Sequence, residues 1–110
     1  MKTLLPTLRE KKRYVVFEVM SKETVGMKDT TQEFQRTFES AFGSFTAAQA
    51  GIQFMPDWNR QRGIMRVGHR YVDHAKAAFV MLHEIRGIPA VIQTLTVSGI
   101  LDKARKKMEA

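Results

Sequence analysis

The stretch DWNRQRG at positions 57–63 sets one indole, Trp58, beside two guanidinium groups, Arg60 and Arg62. An indole can stack on a base or a sugar, and an arginine fork matches the oxygens of a phosphate. The same indole would serve equally well as a lid over a core or as a contact to another protein. Both readings of Trp58 stand at this level.

Self-contained catalysis finds no footing. Nucleophilic catalysis needs a hydroxyl or thiol beside a base. His69 lies near Asp73, but no hydroxyl is placed to join them, and the chain has no cysteine. His74 and His83 are nine residues apart, too far to share a helix face as ligands. Ordinary partly buried or surface histidines are the simpler reading, so neither a catalytic residue nor a metal ligand is assigned. The segment SKETVGMKD (21–29) has one glycine, two acids and no arginine, unlike the phosphate-cradling loop of an acylphosphatase. The acids are dispersed rather than paired.

Charge is the stronger signal. The formal net charge is +7, and thirteen of the eighteen Lys and Arg residues fall in segments 2–13, 60–70 and 102–109, which hold three of the eleven acids. Such segregation is the footprint of a polyanion binder. The candidate RNA-binding residues are Arg9, Lys11, Lys12, Arg13, Trp58, Arg60, Arg62, Arg66, Arg70, Lys103, Arg105 and Lys106. Without cysteine there are no disulfides and no thiolate metal sites. No apolar run reaches the length of a membrane span or a signal-peptide core, so a cytoplasmic protein that does not enter membranes is expected.

These side chains must be held by some scaffold. KKRYVVFEVM (11–20) alternates as a strand, with Val15, Phe17 and Val19 on its core side. Thr30 and Glu33 match a capping box, which predicts a helix N-capped by Thr30, with Phe34, Phe38, Ala41, Phe42 and Phe45 on its apolar stripe. Gly43 bends or stops it, Ser44 caps a short second turn, and Gly51 ends that. IQFM (52–55) and GIMRV (63–67) read as an antiparallel hairpin with a loop of some seven residues, in which Pro56, Asp57 and Asn59 supply turn chemistry. A helix from Arg70 to Arg86 follows, striped by Val72, Ala75, Ala78, Phe79, Leu82 and Ile85, with Gly87 as its C-cap glycine. PAVIQTLTV (89–97) is a fourth strand, and ILDKARKKM a short basic helix.

The order βαββαβ predicts an α+β, ferredoxin-like sandwich of the RNA-recognition-motif type: a four-stranded antiparallel sheet, two helices on one face, and a C-terminal helix. One domain spans 1–110, comprising a flexible basic arm (1–10), the αβ sandwich (11–98) and the basic C-terminal helix (99–110). The third strand begins RG, as the β3 signature of RNA-recognition sheets does. Ile64, Met65, Val67 and Gly68 then stand where stacking rings belong. Only Tyr14 could offer a ring from the first strand. Binding by charge and shape is therefore expected, with Ile64 and Met65 in the core or against a protein.

The segments LLPTLREKKRYVVFEV, FGSFTAAQAGIQF, RGIMRVGHRYVDHAKAA and TLTVSGILDKARK, in that order, resemble archaeal ribonuclease P protein component 2, a small-subunit family shared by ribonucleases P and MRP. Thr46 departs from a glycine frequent in the family, and Ile100 from a threonine. The resemblance implies an RNA-recognition-like fold and a non-catalytic subunit of the ribonucleoprotein that removes the 5′ leader from precursor tRNA. It implies that magnesium belongs to the RNA subunit and that the chain binds no cofactor itself. Its partners would be the catalytic domain of the ribonuclease P RNA and protein component 3, in a heterotetramer, with precursor tRNA met indirectly. A generic RNA-binding or ribosome-associated protein of the same fold is the alternative.

Overall fold

A computed structural model describes residues 11–110. The basic arm expected at 1–10, Arg9 included, lies outside the described residues. The elements run β1 (Lys12–Ser21), α1 (Met27–Phe42), α2 (Ser44–Ala50), β2 (Gln53–Asn59), β3 (Arg62–Gly68), a 3₁₀ turn (His69–Tyr71), α3 (Val72–Met81), β4 (Glu84–Ile85), β5 (Ile88–Ser98) and α4 (Leu101–Glu109). The sheet has five strands in the order β2-β3-β1-β5-β4, and every pair is antiparallel.

β1 is central and is buried on both faces. Val15, Phe17 and Val19 meet Phe34 and Phe38 of α1 and Ala75, Ala78 and Phe79 of α3. On the other face Val16, together with Met55 and Ile64, is covered by Ala104 and Met108 of α4. A run of β-branched and aromatic residues suits a strand packed from both sides.

α1 begins at Met27, three residues before the expected cap, and Gly26 is its N-cap. Thr30 is fully buried, and its hydroxyl donates to the Gly26 carbonyl at 2.9 Å instead of capping. A threonine hydroxyl can bond back to the carbonyl four residues earlier, which competes with the capping role. Glu33 pairs with Arg36 at 3.5 Å. Phe34 and Phe38 are buried and Phe42 is partly so, but Phe45 is 76% exposed. Gly43, at φ +89°, breaks the helix there and turns Phe45 off the stripe.

The β2–β3 loop is also shorter than expected. β2 runs on through Pro56 with a register shift between Phe54 and Trp58, and the turn is only Arg60 and Gln61, at φ +55° and +60°. Proline is tolerated there because β2 is an edge strand. Two consecutive left-handed residues mark a type I′ hairpin turn, which usually employs Asn and Gly. Here Gln61 offsets the strain. Its side-chain amide donates to the Val19 carbonyl at 2.8 Å and accepts from the Val25 N–H at 2.6 Å, and its carbonyl accepts from the Val19 N–H at 2.8 Å.

The helix expected to reach Arg86 ends at Met81. Glu84 and Ile85 form β4, paired with Pro89 and Ile88, so a fifth strand replaces the last helical turn. Arg86 and Gly87, at φ +53° and +78°, make the hairpin turn, so Gly87 is not a helix cap. Leu82 and Ile85 are buried as the stripe requires. Burial at those two positions is met by a hairpin as well as by a helix, so the spacing did not separate the two.

Gly63 lies close against the core. A Cβ there would sit 2.8 Å from Phe17 Cζ and 3.1 Å from Trp58 Cε3. Gly63→Ala should therefore destabilise the protein by about 1–3 kcal/mol through overpacking. Urea unfolding should show a lower midpoint with an unchanged m-value.

Candidate nucleic-acid interface

One end of the sheet collects the basic groups. The register places Lys12 opposite Gly68, Arg13 opposite Val67 and Tyr14 opposite Arg66, while Tyr14 also faces Ser98 of β5. The His69 N–H donates to the Lys11 carbonyl at 2.8 Å, which ties the start of β1 to the turn after β3. Lys11, Lys12, Arg13, Arg66, His69 and Arg70 thus share this end, though the sequence splits them into two groups some fifty residues apart.

Their heads are held by backbone and amide groups. Arg13 Nη1 donates to the Lys12 carbonyl at 3.1 Å, and Arg66 Nη1 donates to Gln53 Oε1 at 3.3 Å. Arg66 Nε is buried with no partner among the described residues. The Lys12 ammonium lies against Gly51, 3.1 Å from where a Cβ would be. The ion pairs of the described residues use Arg36, Arg62, Arg86 and Arg105, so none neutralises this end. A cluster of cations without ion pairs among the described residues raises the local potential and suits a phosphate backbone.

Several expected site residues have other work. Arg62 pairs with Glu18 at 3.2 Å, and its Nη1 donates to the carbonyls of Met108 and Ala110 at 3.1 and 3.2 Å. It therefore caps the C-terminal end of α4, whose last carbonyls lack intrahelical partners. Arg105 pairs with Asp57 Oδ2 at 3.0 Å. Together these two arginines pin α4 across the sheet. Trp58 is half-buried and packs on the helix-side core with its ring 6.2 Å from Phe17, as a lid would. Tyr14 leans against the cluster under α4. Arg60 is exposed but sits in the β2–β3 turn, at the opposite end of the sheet from Lys12.

Lys103 and Lys106 are exposed on α4, as is Lys107. Ile64 and Met65 are both fully buried, Ile64 beneath α4 and Met65 on the helix side. Sequence reasoning missed that the C-terminal helix covers the sheet face that RNA-recognition domains present to bases. The signal was there: Leu101, Ala104 and Met108, at spacings of three and four, form an apolar stripe inside a segment noted only for its charge. With that face covered, its side chains are not open to bases.

The three histidines sit apart, each among its own neighbours. His74 lies between Phe42 and Tyr71, at ring distances of 4.9 and 5.2 Å, and His69 Nδ1 and His83 Nδ1 lie 3.2 and 3.0 Å from backbone carbonyls. Among the described residues no group of three His, Asp or Glu side chains is arranged to hold a metal. No helix of the described residues is long and apolar enough to cross a membrane.

Comparison with known proteins agrees with this architecture. The sequence model of the Rpp14/Pop5 family matches residues 13–109. Ribonuclease P protein component 2 of Methanosarcina acetivorans is 35% identical over 97% of this chain and 80% of its own length. Its namesake in Thermococcus kodakarensis is 34% identical over 99% of this chain and 92% of its own. A chain in the cryo-EM structure of yeast ribonuclease MRP superposes with a TM-score of 0.67 at 14% identity, covering 99% of this chain and 90% of that one, a likeness of fold.

The two kinds of arginine should separate by experiment. Arg62→Ala removes three contacts to a charged group and should cost about 1.5–3 kcal/mol in stability. Its amide-exchange signature should be loss of protection across α4. The salt dependence of RNA binding should stay unchanged. Arg66→Ala and Arg70→Ala should each flatten the slope of log K against log salt by about 0.7–0.9.

Proposed function

The chain belongs to the Rpp14/Pop5 family, and on that footing we propose that it is a protein subunit of ribonuclease P, supporting the RNA that cleaves the 5′ leader from precursor tRNA. The observation that carries this reading is the family match across residues 13–109, on relatives named ribonuclease P protein component 2. The geometry supplies a compatible means. The basic end at Lys11, Lys12, Arg13, Arg66 and Arg70 is set on a rigid sheet and is not neutralised by the ion pairs described above.

The mechanism is electrostatic. A folded catalytic RNA brings many phosphates close together. Cations fixed by the sheet lower that repulsion and release condensed counterions on binding. The RNA then needs less magnesium to hold its active shape, the magnesium and the chemistry belonging to the RNA. The chain itself contributes no reacting group in this reading. Pairing with ribonuclease P protein component 3 in a heterotetramer and a cytoplasmic location are part of the same proposal. The generic RNA-binding alternative has the same basic surface but no need of a particular RNA.

Reconstitution separates them. The cognate ribonuclease P RNA, component 3 and precursor tRNA are mixed at limiting magnesium, with and without this protein. Cleavage of the 5′ leader should depend on the chain. Joint replacement of Lys12, Arg13, Arg66 and Arg70 by Ala should raise the magnesium required for half-maximal cleavage while leaving the maximal rate at saturating magnesium nearly unchanged. Unchanged cleavage without the protein, with equal binding to any folded RNA, would favour the generic binder.

A further inference from the structure

The two edges of the sheet are built differently. β2, on one edge, carries Pro56 and Asp57, a register shift between Phe54 and Trp58, and the ion pair of Asp57 with Arg105. Proline, charge and irregularity are the features that keep edge strands from pairing with foreign chains. β5 lies toward the other edge and has little of this. Residues 90–98, AVIQTLTVS, contain no proline and no charged residue, in a chain of which 26% is charged. Its one irregularity is a register shift where Leu95 lacks a partner on β1.

β4 covers little of that edge. It pairs only with Ile88 and Pro89, and the Ala90 N–H donates to the His83 carbonyl at 3.0 Å. The Pro89 carbonyl, in contrast, accepts from the Lys22 N–H and so faces the β1 side. Main-chain groups alternate along an antiparallel strand. Ala90 therefore points outward, and so do Ile92 and Thr94, which keep continuous register with Val19 and Phe17 of β1. Among the described residues the outer main-chain groups of Ile92 and Thr94 meet no further strand.

The helices flanking this edge carry lysines. On α4, Arg105 reaches Asp57 on the β2 edge, so Lys103 and Lys107, two residues to either side, project toward β5. On α3, His74 against Phe42 marks the side facing α1. Lys76, two residues on, lies on the other side. None of these three lysines takes part in the ion pairs described above. Val91, on the strand itself, is 59% exposed and adds apolar surface there.

We propose that the outer edge of β5 is a docking edge for an extended acidic segment of another protein, which adds as a further strand. An uncharged ladder supplies main-chain bonds, Val91 supplies apolar contact, and Lys76, Lys103 and Lys107 supply the charge preference. A second copy of this chain would bring a further +7 against the same lysines. An RNA strand could meet the lysines but could not continue the peptide ladder. The inference is independent of the ribonuclease P reading.

The test uses the full chain and a short fluorescein-labelled peptide of alternating threonine and valine with glutamates at both ends. Fluorescence anisotropy should saturate, and the amides of Ile92 and Thr94 should gain protection from exchange. A peptide N-methylated at alternate residues keeps the side chains but loses the ladder, and should bind at least ~10-fold more weakly. The combined variant Lys76→Glu, Lys103→Glu, Lys107→Glu should weaken the unmethylated peptide by a similar factor. Equal binding of the N-methylated peptide would overturn the proposal. So would protection confined to the Lys11–Arg13 end, or slow exchange of Ile92 and Thr94 in the protein alone, which would mean that this chain or a second copy already covers the edge. Protection of the same amides by oligouridine at lower concentration than by the peptide would make the edge an RNA surface instead.

Discussion

Burial of β1 on both faces is the constraint from which the rest follows. Val15, Phe17 and Val19 can be covered by the helices that the βαββαβ order brings to one side. Val16, with Ile64 and Met55 beside it, needs cover on the other, and α4 provides it. A helix laid on a sheet brings its own requirement, since its last carbonyls have no intrahelical donors. Arg62 meets that requirement and is drawn away from solvent in doing so. One apolar demand at the centre of the sheet thus decides the fate of an arginine at the start of the neighbouring strand.

The division of the cations follows the same logic. Arg62 and Arg105 lie beneath and beside α4 and find acids and carbonyls there. The groups at the far end of β1 and β3 lie beyond its cover and keep their charge unpaired by the ion pairs of the described residues. Closing the apolar face removes base stacking on that face, while the uncovered rim keeps the mode that depends on charge. Non-specific attraction to a folded polyanion needs no more than a rigid set of cations at a fixed spacing.

The hairpin turns show how local and distant forces were balanced. Arg60 and Gln61 are not residues that favour left-handed backbone, and no sequence rule would place a type I′ turn on them. The turn is held because Gln61 bonds to Val19 and Val25, more than thirty residues away. The β4–β5 turn has Gly87 at the position where a glycine relieves strain, but the same glycine also fits a helix end, and the helical stripe through Ile85 made that the natural reading. Thr30 and Glu33 match a capping box equally well in isolation. The burial of Thr30 decided for a hydroxyl bonded back to Gly26.

By itself the sequence determined the class of fold, the core side of the first strand, the phenylalanines of the first helix as far as Phe42, and the basic character of three separated segments. These rest on periodicity and composition, which are local and additive. The four ordered segments likewise carried the family. The tertiary structure alone decided which arginines take part in ion pairs, that Trp58 packs against Phe17, that α4 closes the second face of the sheet, and that Lys12 and Arg70 share an end while Arg60 does not. Each of these depends on strand register and on which face a helix lands, and both are set by contacts between residues far apart in the chain. Charge clustering in sequence shows that cations are present, but pairing with Glu18, Asp57 or a helix terminus determines which of them remain available.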